Sequence, residues 1–222
     1  MMGRWKKCFK LLKYSHNFSR SIWLAAILLL LGLGLFVGVV RIDLSFAMLP
    51  AIFLLLPCTV LLQLKEDLIY SAMVCAFPKR RFFDTLFSDV LLVSAGVAPY
   101  LIYGVLVFLF VENGNAEEFY AANVLWVSSL CIAVFMVFLP LSLKYYWPSL
   151  ITGWFLYILF QEHLDNLEDS GKTLISVSTP TGFWMGLGVV LAGGAISVVL
   201  RRLLYKKPLS KWMVREYMKK MG

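Results

Sequence analysis

SIWLAAILLLLGLGLFVGVV, residues 21–40, is a run of twenty residues without a charged side chain. Wound as a helix at ~1.5 Å per residue it is ~30 Å long, the thickness of the hydrocarbon core of a bilayer. Comparable runs lie at about 44–64, 89–111, 122–143, 145–161 and 182–200. The chain therefore reads as an all-α, polytopic membrane protein with six transmembrane helices. Composition agrees, since 60% of the 222 residues are apolar and only 15% charged, with a mean hydropathy of +0.79, whereas soluble domains carry about 25% charged residues. Six spans leave room for one membrane domain, 1–222, and none for a separate soluble catalytic domain. No small-x-small site follows the first run, so it reads as a retained anchor and not a removed signal peptide. Spans four and five abut with only Lys144 between them.

Basic residues set the expected orientation, because short cytoplasmic segments collect Lys and Arg. Six lie in 1–20, four in 65–88, one is Lys144 and eight lie in 201–222, leaving only Arg41 and Lys172 for the alternate loops. Both termini are expected in the cytoplasm. The outer loops are acidic, with Glu112, Glu117, Glu118, Glu162, Asp165, Glu168 and Asp169. A net charge of +8 then reflects a basic face against anionic lipid rather than nucleic acid, for which no recognition motif is present. The four cysteines fall in cytoplasmic or membrane segments and imply no disulfide framework. Asn17-Phe18-Ser19 has the form of a glycosylation acceptor on the wrong side of the membrane.

One tripeptide invites a nucleotide-binding reading. Gly171-Lys172-Thr173 ends like a phosphate loop, but the position five before Gly171 is Asn166 instead of glycine, and Glu168 and Asp169 would repel a triphosphate. It also falls in an outer loop, away from ATP. Gln161, Glu162, His163 and Asp165 supply a single histidine with scattered carboxylates, a poor zinc set, so no metal site is expected. No Gly-x-Ser-Gly or His-Glu-x-x-His occurs, and Glu117-Glu118 lacks an arginine four residues on; no catalytic residue is assigned.

Three segments are expected at the cytoplasmic surface. In 1–20, Trp5, Cys8, Phe9 and Leu12 fall at helical spacing opposite Lys6, Lys10 and Lys13, an amphipathic helix for the membrane interface. The 65–88 segment, KEDLIYSAMVCAFPKRRFFDTLFS, is longer than a connection needs. After Glu66 and Asp67, residues Ile69, Ala72, Met73, Ala76 and Phe77 recur at helical spacing until Pro78 ends the pattern, followed by Lys79, Arg80 and Arg81. Such a helix suits either a groove on a partner protein or the lipid surface. In the tail, Lys211, Arg215 and Lys219 repeat every fourth residue, with Met213, Tyr217 and Met221 on another side.

This arrangement resembles the permease subunits of ABC-2-type ATP-binding-cassette exporters. The family's loop between spans two and three often carries an acidic residue, a Leu-Pro-x-x-Arg-like turn and a Lys entering span three. Here Glu66 matches the first, Phe77-Pro78 the second and Arg81 its arginine, while Ser88 stands in place of the Lys. The resemblance implies that 65–88 is a coupling segment, with Glu66, Asp67, Ile69, Met73, Phe77, Pro78, Arg80 and Arg81 as the ATPase-contacting set. It further implies two separately encoded ATPase subunits holding ATP and Mg, a second permease copy as a homodimer, no cofactor in this chain, and a bacterial plasma membrane. Short outer loops and an acidic outer face suit an amphipathic or cationic peptide, drug or lipid as cargo, in the manner of exporters for phenol-soluble modulins or lantibiotics. Two other readings remain: the substrate-binding subunit of an ATP-driven vitamin uptake system and an intramembrane enzyme. Within the spans, Asp89 is expected to pair with Arg80 or Arg81 near the inner surface. Gly34-x-x-x-Gly38 and Gly182-x-x-x-Gly186 permit close helix contact. Trp154 and Tyr157 either belong to an aromatic belt or line a cargo path.

Overall fold

A computed structural model of the chain describes residues 2–13, 18–39, 48–69, 83–113, 118–145 and 177–205. Among these residues no strand occurs, and almost all are helical. The elements are α1 (Met2–Leu12), α2 (Phe18–Val39), α3 (Met48–Ile69), a π-turn (Phe83–Phe87), α4 (Ser88–Glu112), α5 (Glu118–Tyr145) and α6 (Thr179–Tyr205). Four apolar segments, Phe18–Val37, Asp84–Glu112, Ala121–Leu141 and Thr179–Leu204, are long enough to cross a membrane; in α3 the apolar part is the shorter Pro50–Leu62. The expected span at 145–161 and the tail beyond 205 lie outside the described residues. Lys144, expected as the link between spans four and five, lies in the last turn of α5, which continues to Tyr145.

Large apolar side chains stand uncovered along two of the helices. On α2, Trp23, Ile27, Leu30 and Leu31 are exposed, and on α6 so are Trp184, Leu191, Ile196, Val199 and Leu203. A soluble surface would not tolerate such continuous faces. With the four long apolar helices they mark a membrane protein, whose outer side chains meet lipid tails and whose helices are held together by close packing and interhelical hydrogen bonds.

The core gathers Phe36 of α2, Leu54 and Leu55 of α3, Tyr100, Tyr103 and Val107 of α4, Val124, Leu125 and Met136 of α5, and Val190 of α6. Phe36 sets its ring edge-on to Tyr103 at 5.5 Å and to Phe110 at 5.4 Å. Glycines let the helices close. A side chain on Gly182 would meet the Ala122 backbone at 3.2 Å, one on Gly193 the Ala133 Cα at 2.9 Å. Gly186 lies against Tyr100 and Ser129, while a side chain on Gly34 would meet nothing within 4 Å. The pair at 182 and 186 thus packs within this bundle, and Gly34 faces outward.

These contacts fix the directions of the helices. α4 runs antiparallel to α6, since Tyr100 Oη donates to the Phe183 carbonyl at 2.9 Å and Asp89 meets Arg201 at the opposite end. α5 runs parallel to α6, because Ala122 faces Gly182, Ala133 faces Gly193, and the Ser197 hydroxyl donates to the Met136 carbonyl at 2.6 Å. The last bond has a local cause. Pro140 lies inside α5, has no amide to offer the carbonyl four residues back, and Ser197 supplies the donor instead. At the start of α6, Pro180 occupies the first turn, where its missing amide costs nothing.

Candidate functional site

The antiparallel and parallel pairings bring the start of α2, the end of α3, the start of α4 and the ends of α5 and α6 to one end of the bundle. Arg20, Lys65, Lys144, Arg201 and Arg202 all belong to these helix ends. The opposite end holds Glu112 and Glu118. The described basic residues thus gather where the Lys and Arg counts predict, although Glu66, Asp67, Asp84 and Asp89 lie at the same end.

α1 lies across the basic end and touches α3 and the π-turn. Its buried side chains are Cys8, Leu11 and Leu12, while Lys6, Lys10 and Lys13 are exposed. Phe9 is half exposed but packs edge-on against the Phe87 ring at 5.3 Å. Of the apolar face expected to meet lipid, Cys8 and Leu12 are thus turned onto the protein and Phe9 is half exposed. α1 thus contacts both described elements that flank residues 70–82.

Next to it, α4 and α6 are joined by charge. Asp89 accepts from Arg201 Nη1 at 2.8 Å and from Arg202 Nη2 at 2.7 Å and Nε at 3.1 Å. The second guanidinium group of contacts comes from the other arm of Arg201, which donates to the backbone carbonyl of Asp84 inside the π-turn. Asp89 and Arg201 are nearly buried, whereas Arg202 is two-thirds exposed. Poor screening makes such a partly buried fork stronger than a surface pair. Asp84, Ser88 and Lys65 are also buried at this end. Lys65 lies one turn beyond the apolar part of α3.

Of the residues singled out from sequence, Glu66, Asp67 and Ile69 form the last turn of α3, so the segment expected to begin a loop at 65 starts as a continuation of the helix. Met73, Phe77, Pro78, Arg80 and Arg81 lie outside the described residues, as do Trp154 and Tyr157. Asp89 meets Arg201 and Arg202 of α6; Arg80 and Arg81, its expected partners, lie outside the described residues. The ion pair spans 112 positions, and no local pattern announces it; two adjacent arginines closing an apolar run were the only signal. Among the described residues no group of His, Cys, Asp and Glu could hold a metal ion.

No family model, no curated protein and no solved structure matches this chain.

Proposed function

We propose that this chain is the membrane-spanning permease subunit of an ATP-binding-cassette exporter, with ATP and Mg bound by a separate ATPase that docks on residues 65–88. The observation that carries the reading is the convergence of α1, the end of α3, the π-turn and the Asp89 fork on the two ends of that segment. A force applied to the loop there is delivered to α3, α4 and α6 together. The cargo in this reading is an amphipathic or cationic peptide, drug or lipid, moved outward across a bacterial plasma membrane by two permease copies and two ATPases.

The reading includes six spans with both termini in the cytoplasm. The parallel run of α5 and α6 supports it, since the chain leaves α5 at the basic end and enters α6 at the acidic one, and a return crossing within 146–178 provides that path. The basic end faces the cytoplasm.

The test is a mild-detergent pull-down from native membranes, with partners identified by mass and the complex assayed for ATP hydrolysis. An ATPase recovered in equal amount is expected, lost on Arg81→Glu or on Gly-Ser replacement of 69–77 while the chain remains in the membrane. Full recovery of the partner with either variant would remove the coupling role.

A further inference from the structure

At about 100° per residue, Lys6, Lys10 and Lys13 fall within ~60° of one another around the α1 axis, and the buried Cys8, Leu11 and Leu12 occupy the opposite side. All three lysines are exposed, and Phe9, at the edge of their ridge, is 52% exposed. Among the described residues, neither these lysine side chains nor the exposed Arg20 side chain makes a hydrogen bond or an ion pair. The neighbouring sequence supplies no counter-charge, because the first acidic residue of the chain is Asp43. Lys13 and Arg20 bracket Phe18, where the first apolar span begins. The ridge therefore sits where the chain enters the bilayer.

We propose that Lys6, Lys10 and Lys13 form a binding surface for anionic phospholipid headgroups, and that α1 meets the membrane through this ridge rather than by inserting an apolar face. An interfacial helix ordinarily buries its apolar side among the acyl chains. In α1 that side holds Cys8, Leu11 and Leu12, which are buried while the helix touches α3 and the π-turn. What remains for lipid is three ammonium groups and part of the Phe9 ring. Each ammonium is a compact charge with three donors, suited to a phosphate. A zwitterionic headgroup presents its own cation beside the phosphate, so the ridge favours lipids whose headgroups carry net negative charge. Because the two sides of α1 are opposed, protein and headgroups engage it at once. The surface belongs to this chain alone and does not depend on the exporter reading, so its failure leaves the pull-down outcome above untouched.

The experiment titrates the full chain, in a non-ionic detergent, with phosphatidylglycerol or phosphatidylcholine and counts bound lipids by native mass spectrometry. The parent should bind its first phosphatidylglycerol more tightly than its first phosphatidylcholine. Lys6→Gln, Lys10→Gln and Lys13→Gln together should weaken the first phosphatidylglycerol by up to about 100-fold, from roughly fivefold per lysine, and leave phosphatidylcholine unchanged. The corresponding three Lys→Arg changes keep the charge and should hold the affinity within about threefold of the parent. Lys211→Gln, Arg215→Gln and Lys219→Gln together remove the same charge from the tail and should leave the first site in place. All substituted α1 positions are exposed; should the triple variant lose its monodisperse profile, Lys10→Gln alone is used, with about a fivefold loss expected. Equal affinity of the parent for the two lipids, an unchanged affinity in the α1 glutamine variant, equal losses in the α1 and tail variants, or full competition by soluble glycerol phosphate would overturn the proposal.

Discussion

Proline at 140 withholds the amide that a helix would aim at the carbonyl of residue 136, and the Ser197 hydroxyl reaches that oxygen from the neighbouring helix. Ser197→Ala is then expected to cost about 1 kcal/mol, the scale of an interhelical hydrogen bond in a membrane protein. In a Pro140→Ala background the restored amide serves the carbonyl, so the same substitution should cost little. Thermal or denaturant unfolding of the four purified chains measures the coupling, and an equal loss in both backgrounds would disprove it. Sequence displays Pro140 and Ser197 but not their partnership, which depends on two helices being parallel. The glycines teach the same lesson. Gly34 and Gly182 each head a small-x-x-x-small pair, yet one is open and the other lies on the Ala122 backbone. Spacing says that close approach is permitted; only the packing of the other helices says where it happens.

At the scale of elements, the apolar runs announced their helices because backbone groups in hydrocarbon must be paired within the segment. α2, α4, α5 and α6 begin and end within a few residues of the expected limits. α3 was less legible. Its described part opens at Met48, and its end runs on past Lys65 to Ile69, since a charged residue ends a hydrophobic run without ending a helix. For α1 the periodicity gave an amphipathic helix but not its counterpart, because lipid and protein ask for the same apolar stripe. Cys8, Leu11 and Leu12 are buried, and α1 touches α3 and the π-turn. Leu12→Gln places an unpartnered amide in this contact and should detach α1, costing about 2 kcal/mol. Trypsin cleavage after Lys10 and Lys13 of the reconstituted chain should accelerate roughly tenfold, as that much stability is worth at least a factor of ten in opening. Cleavage at the parent rate would mean that α1 is held elsewhere.

At the scale of the whole molecule, the described Lys and Arg residues gather at one end of the bundle, as their positions along the chain suggest, although Glu66, Asp67, Asp84 and Asp89 share that end. Which helices touch was not readable, because every span is apolar around most of its circumference and periodicity has no preferred face to report. Reporter fusions test the topology. A cytoplasmic fluorescent protein should work when joined after Tyr145 and after Tyr205, and an exported phosphatase when joined after residue 113 or 177. Fluorescence from the junction at 177 would mean that no crossing separates α5 from α6.

The parallel pairing of α5 and α6 has a further consequence for how the protein is made. Ribosomes release about 5–20 residues per second, so roughly 3–12 seconds separate the emergence of Tyr145 from that of Tyr205. Throughout that interval the α5 surface destined for Gly182 and Gly193 has no mate. The nascent chain must shelter that surface against the insertion machinery or a chaperone, and a message cut short before α6 would yield a protein that membrane quality control can recognise by its uncovered flank.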